Sequence, residues 1–307
     1  MLIAALLALQ LFEAVEPHMG TLFRIQLYVA DQAQAQQAFQ AAFARIAQLD
    51  GILSDYTPTS ELNQLSTRAV HHPVRVSEDL FKVLSASEQL SAESDGAFDV
   101  TIGPLTHLWR AARKTAHPPA KAAVEEALHR SGYHHLHLDA ARQTVELDRP
   151  GMQLDVGGIA KGYAADEALA LLDKRGIHSA LVAASGDLVF SNPPPGEPGW
   201  KIGIGSFDQV LLLANAAVST SGPAEQHLDS GGVRYSHIID PKTGMGLTRD
   251  ITASVIAPHG IQADGMATAV SVLGPERGLS FVEKHPGASV FIVTSENGRH
   301  RIWKSPR

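Results

Sequence analysis

Residues 154–166 read LDVGGIAKGYAAD, and this stretch predicts a short strand, a glycine turn and a helix in direct succession. Gly157 and Gly158 precede a helix whose first turn carries Lys161. Glycine lets the backbone approach a ligand closely, and free N–H groups at the start of a helix attract phosphate. A tight strand-to-helix turn with a surface lysine is the alternative, because the segment matches neither a Walker loop nor a GxGxxG motif.

The hydrophobic pattern on either side of this stretch mixes strands with helices. Residues 21–29 alternate apolar and polar side chains, as a half-buried strand does, and residues 31–49 carry apolar side chains on one helical face. We expect that helix to end at Gly51 as a glycine cap, and further helices over about 159–175 and 262–273. The order predicts an α+β protein with a mixed β-sheet core and flanking helices.

The composition excludes several classes of protein. With a formal net charge of -7 and no long basic run, the chain is a poor candidate for binding nucleic acid or an anionic membrane surface. The absence of cysteine excludes disulfides, thiolate catalysis and iron–sulfur ligation. An acidic protein that handles a phosphorylated ligand therefore needs a metal ion or helix N-termini to offset the charge.

The N-terminal run MLIAALLALQLF (1–12) is apolar but too short to span a membrane, so we expect no stable membrane insertion. It matches the apolar region of a secretion signal, although it lacks a positive flank, and residues 6–12 fit a first strand equally well. We therefore divide the chain into 1–16, a signal or first strand, and 17–307, a single domain. The signal interpretation favours an extracytoplasmic, for example periplasmic, location, and a cytoplasmic one stays open.

A second segment, IQADGMATAVSVLG (261–274), places a carboxylate and a hydroxyl on one helical face. Asp264 and Thr268 are four residues apart, so in a helix they lie one turn above each other. Two hard oxygen ligands suit Mg²⁺, which keeps waters and substrate phosphate as its other ligands. Alternatively, Asp264 caps the helix and Thr268 bonds back to a carbonyl.

A third segment, RYSHIIDPKTG (234–244), combines a histidine with turn residues. His237 precedes Ile238 and Ile239, which places it at the end of a buried strand. Such a histidine can deprotonate a hydroxyl nucleophile at neutral pH. A structural histidine bonded to the turn fits the same pattern equally well.

Two further segments, 54–66 and 94–109, are predicted as loops that mix aromatic, small and acidic residues. Tyr56 and Phe98 could stack on a flat ring, and Asp99 could bind polar atoms of a ring or ribose. Aromatic residues in loops can also be local packing anchors, so neither segment is specific by itself.

Six segments, in this order, resemble the ApbE family, the FAD:protein FMN transferases. The resemblance covers essentially all of residues 18–295. The segments are MGTLFRIQLY (19–28), YTPTSELNQLS (56–66), DGAFDVTIGPL (95–105), LDVGGIAKGYAAD (154–166), YSHIIDPKTG (235–244) and SVIAPHGIQADGMATAVSVLG (254–274).

The resemblance implies FAD as the substrate and Mg²⁺ as the cofactor, and it assigns residues to each. The flavin would contact Met19, Tyr56, Ala97, Phe98 and Asp99. The nucleotide and its pyrophosphate would lie along Gly157, Lys161, His237 and Ile238. Mg²⁺ would be held by Asp264, Thr268 and the main-chain oxygen of Ala160.

The implied reaction transfers the FMN moiety of FAD to a Thr or Ser hydroxyl of an acceptor flavoprotein and releases AMP. His237 is the candidate base and Asp264 the second catalytic residue. The acceptor residue would lie in a short motif of a membrane or extracytoplasmic flavoprotein. Two alternatives share parts of this site: an FAD pyrophosphatase that gives FMN and AMP, and a non-catalytic flavin-binding assembly factor.

The sequence departs from the family pattern in two places. Members commonly have Gly-Gly-Asp or Gly-Gly-Asn where this chain has Ser185-Gly186-Asp187. Members often have an acidic or amide residue after a Ser-Gly pair where this chain has Pro223, which lacks a backbone donor. These departures bear on the choice of acceptor and on the balance between transfer and hydrolysis.

Overall fold

The computed structural model describes residues 9–204, 210–222, 227–296 and 299–306. Pro223 and residues 1–8 lie outside the described residues. Among the residues that are described, no helix has the length and apolar character needed to cross a membrane.

Eight of the fifteen strands in the described residues belong to one large sheet. Within the described ranges the strands are, in chain order, β1 (Gln10–His18), β2 (Thr21–Val29), β3 (Val74–Arg75), β4 (Leu136–Asp139), β5 (Thr144–Leu147), β6 (Ala180–Ala184), β7 (Asp187–Phe190), β8 (Trp200–Gly203), β9 (Val210–Leu213), β10 (Ala216–Ser221), β11 (His227–Ser230), β12 (Val233–Ser236), β13 (Asp250–Ala257), β14 (Ser289–Glu296) and β15 (Arg299–Lys304).

The helices of the described chain are distributed between these strands. They are α1 (Gln32–Leu53), α2 (Glu61–Arg68), α3 (Glu78–Glu93), α4 (Gly103–Thr115), α5 (Lys121–His129), α6 (Ala160–Lys174), α7 (Gly260–Leu273) and α8 (Pro275–Val282), with a 3₁₀ turn over Tyr133–His135. Ser60 and Ser77 begin α2 and α3, and each side chain accepts a backbone N–H three residues later.

The large sheet has eight strands in the order β1-β2-β6-β7-β10-β13-β14-β15. Every pair of neighbours in it is antiparallel. The α+β prediction, with helices flanking a central sheet, is therefore confirmed. The sheet was predicted to be mixed, whereas all its pairs of named strands are antiparallel. β8 and β9 form a separate hairpin, as do β11 and β12, and β3, β5 and β4 form a three-stranded sheet.

The two faces of the large sheet are covered differently. On one face its apolar side chains join those of α1, α3, α6 and α7 in the main hydrophobic core, which extends from Phe23 to Ile292 along the chain. On the other face Phe190 and Phe291 pack with Trp200 of the β8–β9 hairpin. The helices that carry the candidate metal ligands, α6 and α7, thus lie on the face that forms the main hydrophobic core.

Several boundaries differ from the sequence predictions. α1 continues through Gly51 to Leu53, because Leu53 is buried in the core and tertiary packing outweighs the helix-ending preference of glycine. The predicted loop at 54–66 contains the start of α2, which the Ser60 cap initiates. The predicted loop at 94–109 likewise enters α4, whose proline lies in the first turn, where it is tolerated.

The strand predicted before Gly157 is also absent from the described structure. Residues 154–156 are irregular, and Asp155 Oδ1 accepts the N–H of Gly157 at 2.8 Å. This side-chain bond two residues along the chain forms a turn and competes with strand pairing. The glycine turn and the helix that follows it are confirmed, with α6 beginning at Ala160.

α6 and α7 cross with their backbones in contact, and glycine makes this possible. A Cβ on Gly162 would lie 2.1 Å from the carbonyl oxygen of Gly260, and a Cβ on Gly260 would lie 2.4 Å from that of Gly162. Neither backbone can move independently of its helix. Both positions therefore require glycine for the helices to approach this closely.

We expect Gly162→Ala to destabilise the fold, because its methyl group would overlap the backbone of α7. Overpacking of this kind costs about 1–3 kcal/mol or more, and urea denaturation measures the loss. Gly51→Ala is the matched control, since Gly51 is also helical and its Cβ would meet nothing within 4 Å. That control should be neutral or stabilising by up to about 1 kcal/mol. Equal stability of the two variants would contradict the close crossing.

Candidate functional site

Asp264 and Thr268 are not engaged in the structural roles that the sequence left open. α7 begins at Gly260 with no side-chain cap of its own, so Asp264 does not cap the helix that carries it. The Thr268 hydroxyl makes no hydrogen bond to another group in the described part of the chain, whereas Ser271 bonds back to Ala267. A half-buried hydroxyl with no hydrogen bond to the described residues is available to a ligand.

The starts of α6 and α7 are capped by carboxylates from the opposite helix. Asp166 of α6 accepts the N–H groups of Gly260 and Ile261 at 2.7 and 2.9 Å. Asp264 of α7 accepts the N–H of Gly162 at 3.1 Å. Each carboxylate lies at the positive end of a helix dipole, which adds to the stabilisation of both helices and sets their relative position.

Lys161 lies between two buried carboxylates. Its Nζ is 3.2 Å from Asp187 Oδ2 and 3.6 Å from Asp264 Oδ2, and it donates to the carbonyl of Gly157 at 3.1 Å. Burial alone would lower the pKa of this ammonium, but the Asp187 and Asp264 carboxylates hold it above its ordinary value. Lys161 is therefore a permanent cation in this site.

The Asp264 carboxyl group is correspondingly perturbed. Burial, followed by the nearby negative charge of Asp187, raises the pKa of Asp264 to about 7, while Lys161 and the N–H of Gly162 act in the opposite direction. A buried carboxylate in this environment is stabilised by further positive charge. The site thus has unused capacity for a cation.

The Thr268 hydroxyl faces the glycine turn at the start of α6. A Cβ on Gly158 would lie 3.0 Å from Thr268 Oγ1 and 3.4 Å from Cε2 of Phe98, so glycine leaves this space open. The turn runs directly into Ala160, the first residue of α6. A carboxylate, a hydroxyl and a main-chain carbonyl are hard oxygen donors, and this set fits Mg²⁺. The chemistry of the donors and the open space beside them are thus compatible with the predicted ion.

Of the predicted flavin-binding residues, Phe98 and Asp99 are held in the interior. Phe98 is only 4% exposed. Asp99 accepts the backbone N–H of Thr101 at 2.8 Å, its hydroxyl at 2.7 Å and the N–H of Tyr133 at 2.9 Å. Burial, though opposed by these bonds, raises the pKa of Asp99. The structure shows Asp99 organising this turn, and its contact with flavin stays a prediction.

Tyr56 is 68% exposed, and one face of its ring packs against an arginine side chain. The guanidinium of Arg110 is 4.1 Å from the centre of its ring. Arg110 also pairs with Asp55 and, at 3.1 Å, with Asp155. Asp155 accepts a hydrogen bond from the N–H of Gly157. Arg110 therefore connects Tyr56, which is predicted to bind the flavin ring, to the glycine turn that is predicted to bind phosphate.

The remaining predicted residues come from two other parts of the fold. Ala97 and Ile238 pack together with Val272 near the end of α7, so two of the predicted segments meet there. His237 follows β12 directly and is half-buried, so it lies at the end of a strand as predicted. That strand is mostly exposed, however, and is not the buried strand that the sequence predicts. Met19 lies in the tight β1–β2 turn, where its N–H donates to Asp50 at 3.0 Å.

Comparison with known proteins identifies the family. The sequence model of the ApbE family matches residues 19–292. The chain belongs to the ApbE family. A curated relative from Treponema pallidum (strain Nichols), named FAD:protein FMN transferase, is 32% identical over 92% of this chain and 84% of its own length. A Klebsiella pneumoniae (strain 342) protein of the same name is 30% identical over 94% and 86%.

Solved structures of ApbE proteins share the fold. The apo crystal structure of the Pseudomonas stutzeri flavinyl transferase ApbE superposes with a TM-score of 0.87 at 29% identity, covering 98% of this chain and 96% of that one. The flavin transferase ApbE from Vibrio cholerae gives a TM-score of 0.85 at 26% identity over 97% of both chains.

One departure from the ApbE pattern has a visible backbone consequence. Ser185 occupies the β6–β7 turn with φ of 55°, in the left-handed region. Glycine adopts this region without cost, whereas serine is strained there, so the turn itself favours glycine. Asp187, two residues later, is buried.

Sequence reasoning overlooked four side chains that organise this ApbE site. They are Arg110, Asp155, Asp166 and Asp187. Asp155, Asp166 and Asp187 lie inside or beside quoted motifs, and each is an acidic residue in an otherwise apolar or small-residue context. That context signals a buried, partnered carboxylate, whereas nothing in the sequence points to Arg110, whose partners are 45 and 55 positions away.

We expect Arg110→Met to destabilise the protein by about 3 kcal/mol, because Asp55 and Asp155 would be left as buried carboxylates without their cation. Urea denaturation measures this loss, and flavin binding should weaken as the Tyr56 loop and the Gly157 turn lose their connection. Arg113→Met is the control and should change stability by no more than about 0.5 kcal/mol. A stable Arg110→Met variant with unchanged flavin affinity would exclude this coupling.

Proposed function

We propose that this chain is an FAD:protein FMN transferase that depends on Mg²⁺. The observation that carries the proposal is the convergence of Asp264 and Thr268 of α7 on the glycine turn and first residues of α6. Neither side chain is used to cap or bond back to its own helix. The names of the relatives, which cover nearly the whole chain, support the same activity.

The proposed metal ligands are Asp264, Thr268 and the carbonyl oxygen of Ala160. When bound there, Mg²⁺ would neutralise negative charge on the pyrophosphate of FAD. Lys161 and the backbone N–H groups of the Gly157–Gly158 turn would add positive charge around the same group. This local charge lets a protein with a formal net charge of -7 hold a polyanionic substrate.

His237 is the proposed base for the acceptor hydroxyl. The hydroxyl oxygen of a Thr or Ser in the acceptor flavoprotein attacks the phosphorus of the FMN half, and its proton passes to the imidazole. The bond between that phosphorus and the bridging oxygen breaks, and AMP leaves. A phosphodiester then joins FMN to the acceptor. Positioning and charge stabilisation supply most of the rate enhancement in such a transfer.

The domain organisation and the cellular location of the protein are also proposed. A single domain over 17–307 is supported by the main hydrophobic core, whose members extend from Phe23 to Ile292. β1 pairs with β2 from Gln10 onward, so the domain also includes residues before 17. An extracytoplasmic location is supported by the apolar run of residues 1–12 and by the acceptor class that the ApbE resemblance implies.

We expect Asp264→Ala to lower FMN transfer by at least ~100-fold, as removal of a main electrostatic stabiliser does. Thr268→Val should also lower transfer, and Ser271→Ala, one turn away and bonded only to its own helix, serves as the control. Mass spectrometry of an acceptor peptide detects the addition of one FMN. Full turnover by Asp264→Ala would rule out the proposed metal site. Rapid AMP release by the unaltered protein without acceptor would indicate the pyrophosphatase instead.

His237→Ala should retain FAD binding but lose transfer, because the half-buried imidazole acts on the acceptor proton and not on the nucleotide. Fluorescence titration with FAD measures binding, and the peptide assay measures transfer. If FAD binding is lost together with transfer, His237 positions the nucleotide and is not the base.

A further inference from the structure

One cation of this chain already occupies the carboxylate that the proposed metal ion needs. Lys161 Nζ is 3.6 Å from Asp264 Oδ2, the oxygen that also accepts the N–H of Gly162. The lysine side chain is one-quarter exposed, whereas that of Asp264 is only 6% exposed. Solvent therefore screens this contact little.

Two cations cannot both approach one buried carboxylate without repelling each other. A divalent ion on either oxygen of Asp264 would lie within a few ångströms of the ammonium of Lys161, in a region of low dielectric. The ammonium must then move away, or the ion binds more weakly. Binding of the ion is thus coupled to the position of Lys161.

Asp187 provides a second partner for the ammonium. Its Oδ2 is 3.2 Å from Lys161 Nζ, closer than Asp264. Its Oδ1 accepts a hydrogen bond from the Ser219 hydroxyl on β10, which orients the carboxylate toward the lysine. Asp187 is 4% exposed, and leaving it without a counter-ion would be costly. Lys161 can therefore leave Asp264 and remain paired.

We propose that Lys161 is a resident cation that neutralises Asp264 in the ion-free protein and yields it to the divalent ion, while Asp187 retains the ammonium. Asp187 is thus a positioning residue that acts through Lys161. This inference rests on the metal site of the proposed function. It goes further in explaining why a buried carboxylate at a helix crossing is stable before any ion binds.

Two substitutions should change metal affinity in opposite directions. Lys161→Met removes the competing cation and leaves two negative groups, so Mn²⁺ or Mg²⁺ should bind at least ~10-fold more tightly. Asp187→Asn removes the alternative partner, so Lys161 should stay on Asp264 and the ion should bind ~10-fold more weakly. A purely structural role would weaken binding in both variants.

The test is Mn²⁺ binding to the full chain without nucleotide, followed by electron paramagnetic resonance and checked with Mg²⁺ by calorimetry. All variants are compared at the same pH. Lys161→Arg is the matched control, since it keeps a cation and should bind Mn²⁺ like the unaltered protein or more weakly. In the double variant, the weakening caused by Asp187→Asn should shrink, because Asp187 acts through Lys161.

Tighter binding by Lys161→Met, weaker binding by Asp187→Asn and a reduced effect in the double variant would support the proposal. Unchanged or weaker binding by Lys161→Met would overturn it. If that variant does not fold, Asp187→Asn still decides, and unchanged affinity there overturns the proposal. A separate variant tests the metal assignment on which the proposal rests. If Asp264 is not a metal ligand, Asp264→Asn will bind Mn²⁺ as well as the unaltered protein does.

Discussion

The reciprocal capping of α6 and α7 is the interaction on which the rest of the structure depends. Asp166 on α6 holds the first N–H groups of α7, and Asp264 on α7 holds an N–H in the first turn of α6. Gly162 and Gly260 let the two backbones touch where the helices cross. Because the carboxylates are fixed by the helices that they stabilise, the geometry of the candidate site follows directly from helix packing.

This arrangement explains how an acidic chain can offer a site for a polyanion. The charges that matter are few and buried: Lys161 with Asp187 and Asp264, and Arg110 with Asp55 and Asp155. Each cation is surrounded by more carboxylate than it can neutralise, which leaves room for a further positive charge beside Asp264. Net charge describes the surface, whereas the local balance of buried groups determines what the site can hold.

The central part of the fold was accessible from local pattern. The alternation of apolar residues over 21–29 predicted β2, and the face shared by Asp264 and Thr268 is present on α7. The prediction of a loop over 54–66 was wrong, because a serine cap starts a short helix in a segment with little apolar periodicity. The prediction that the helix ends at Gly51 was also wrong. Burial of Leu53 in the core outweighs the low helix propensity of glycine, so α1 continues to Leu53.

The sequence by itself determined the α+β class, the order of motifs that resembles the ApbE family, and the residues that carry oxygen and imidazole chemistry. These are properties of periodicity and residue type within short windows. Only the tertiary structure decided which carboxylate caps which helix, that Lys161 lies between Asp187 and Asp264, and that Arg110 joins Tyr56 to the Gly157 turn. Those pairings join residues far apart in the chain, and distance in space is set by the packing of whole helices and strands.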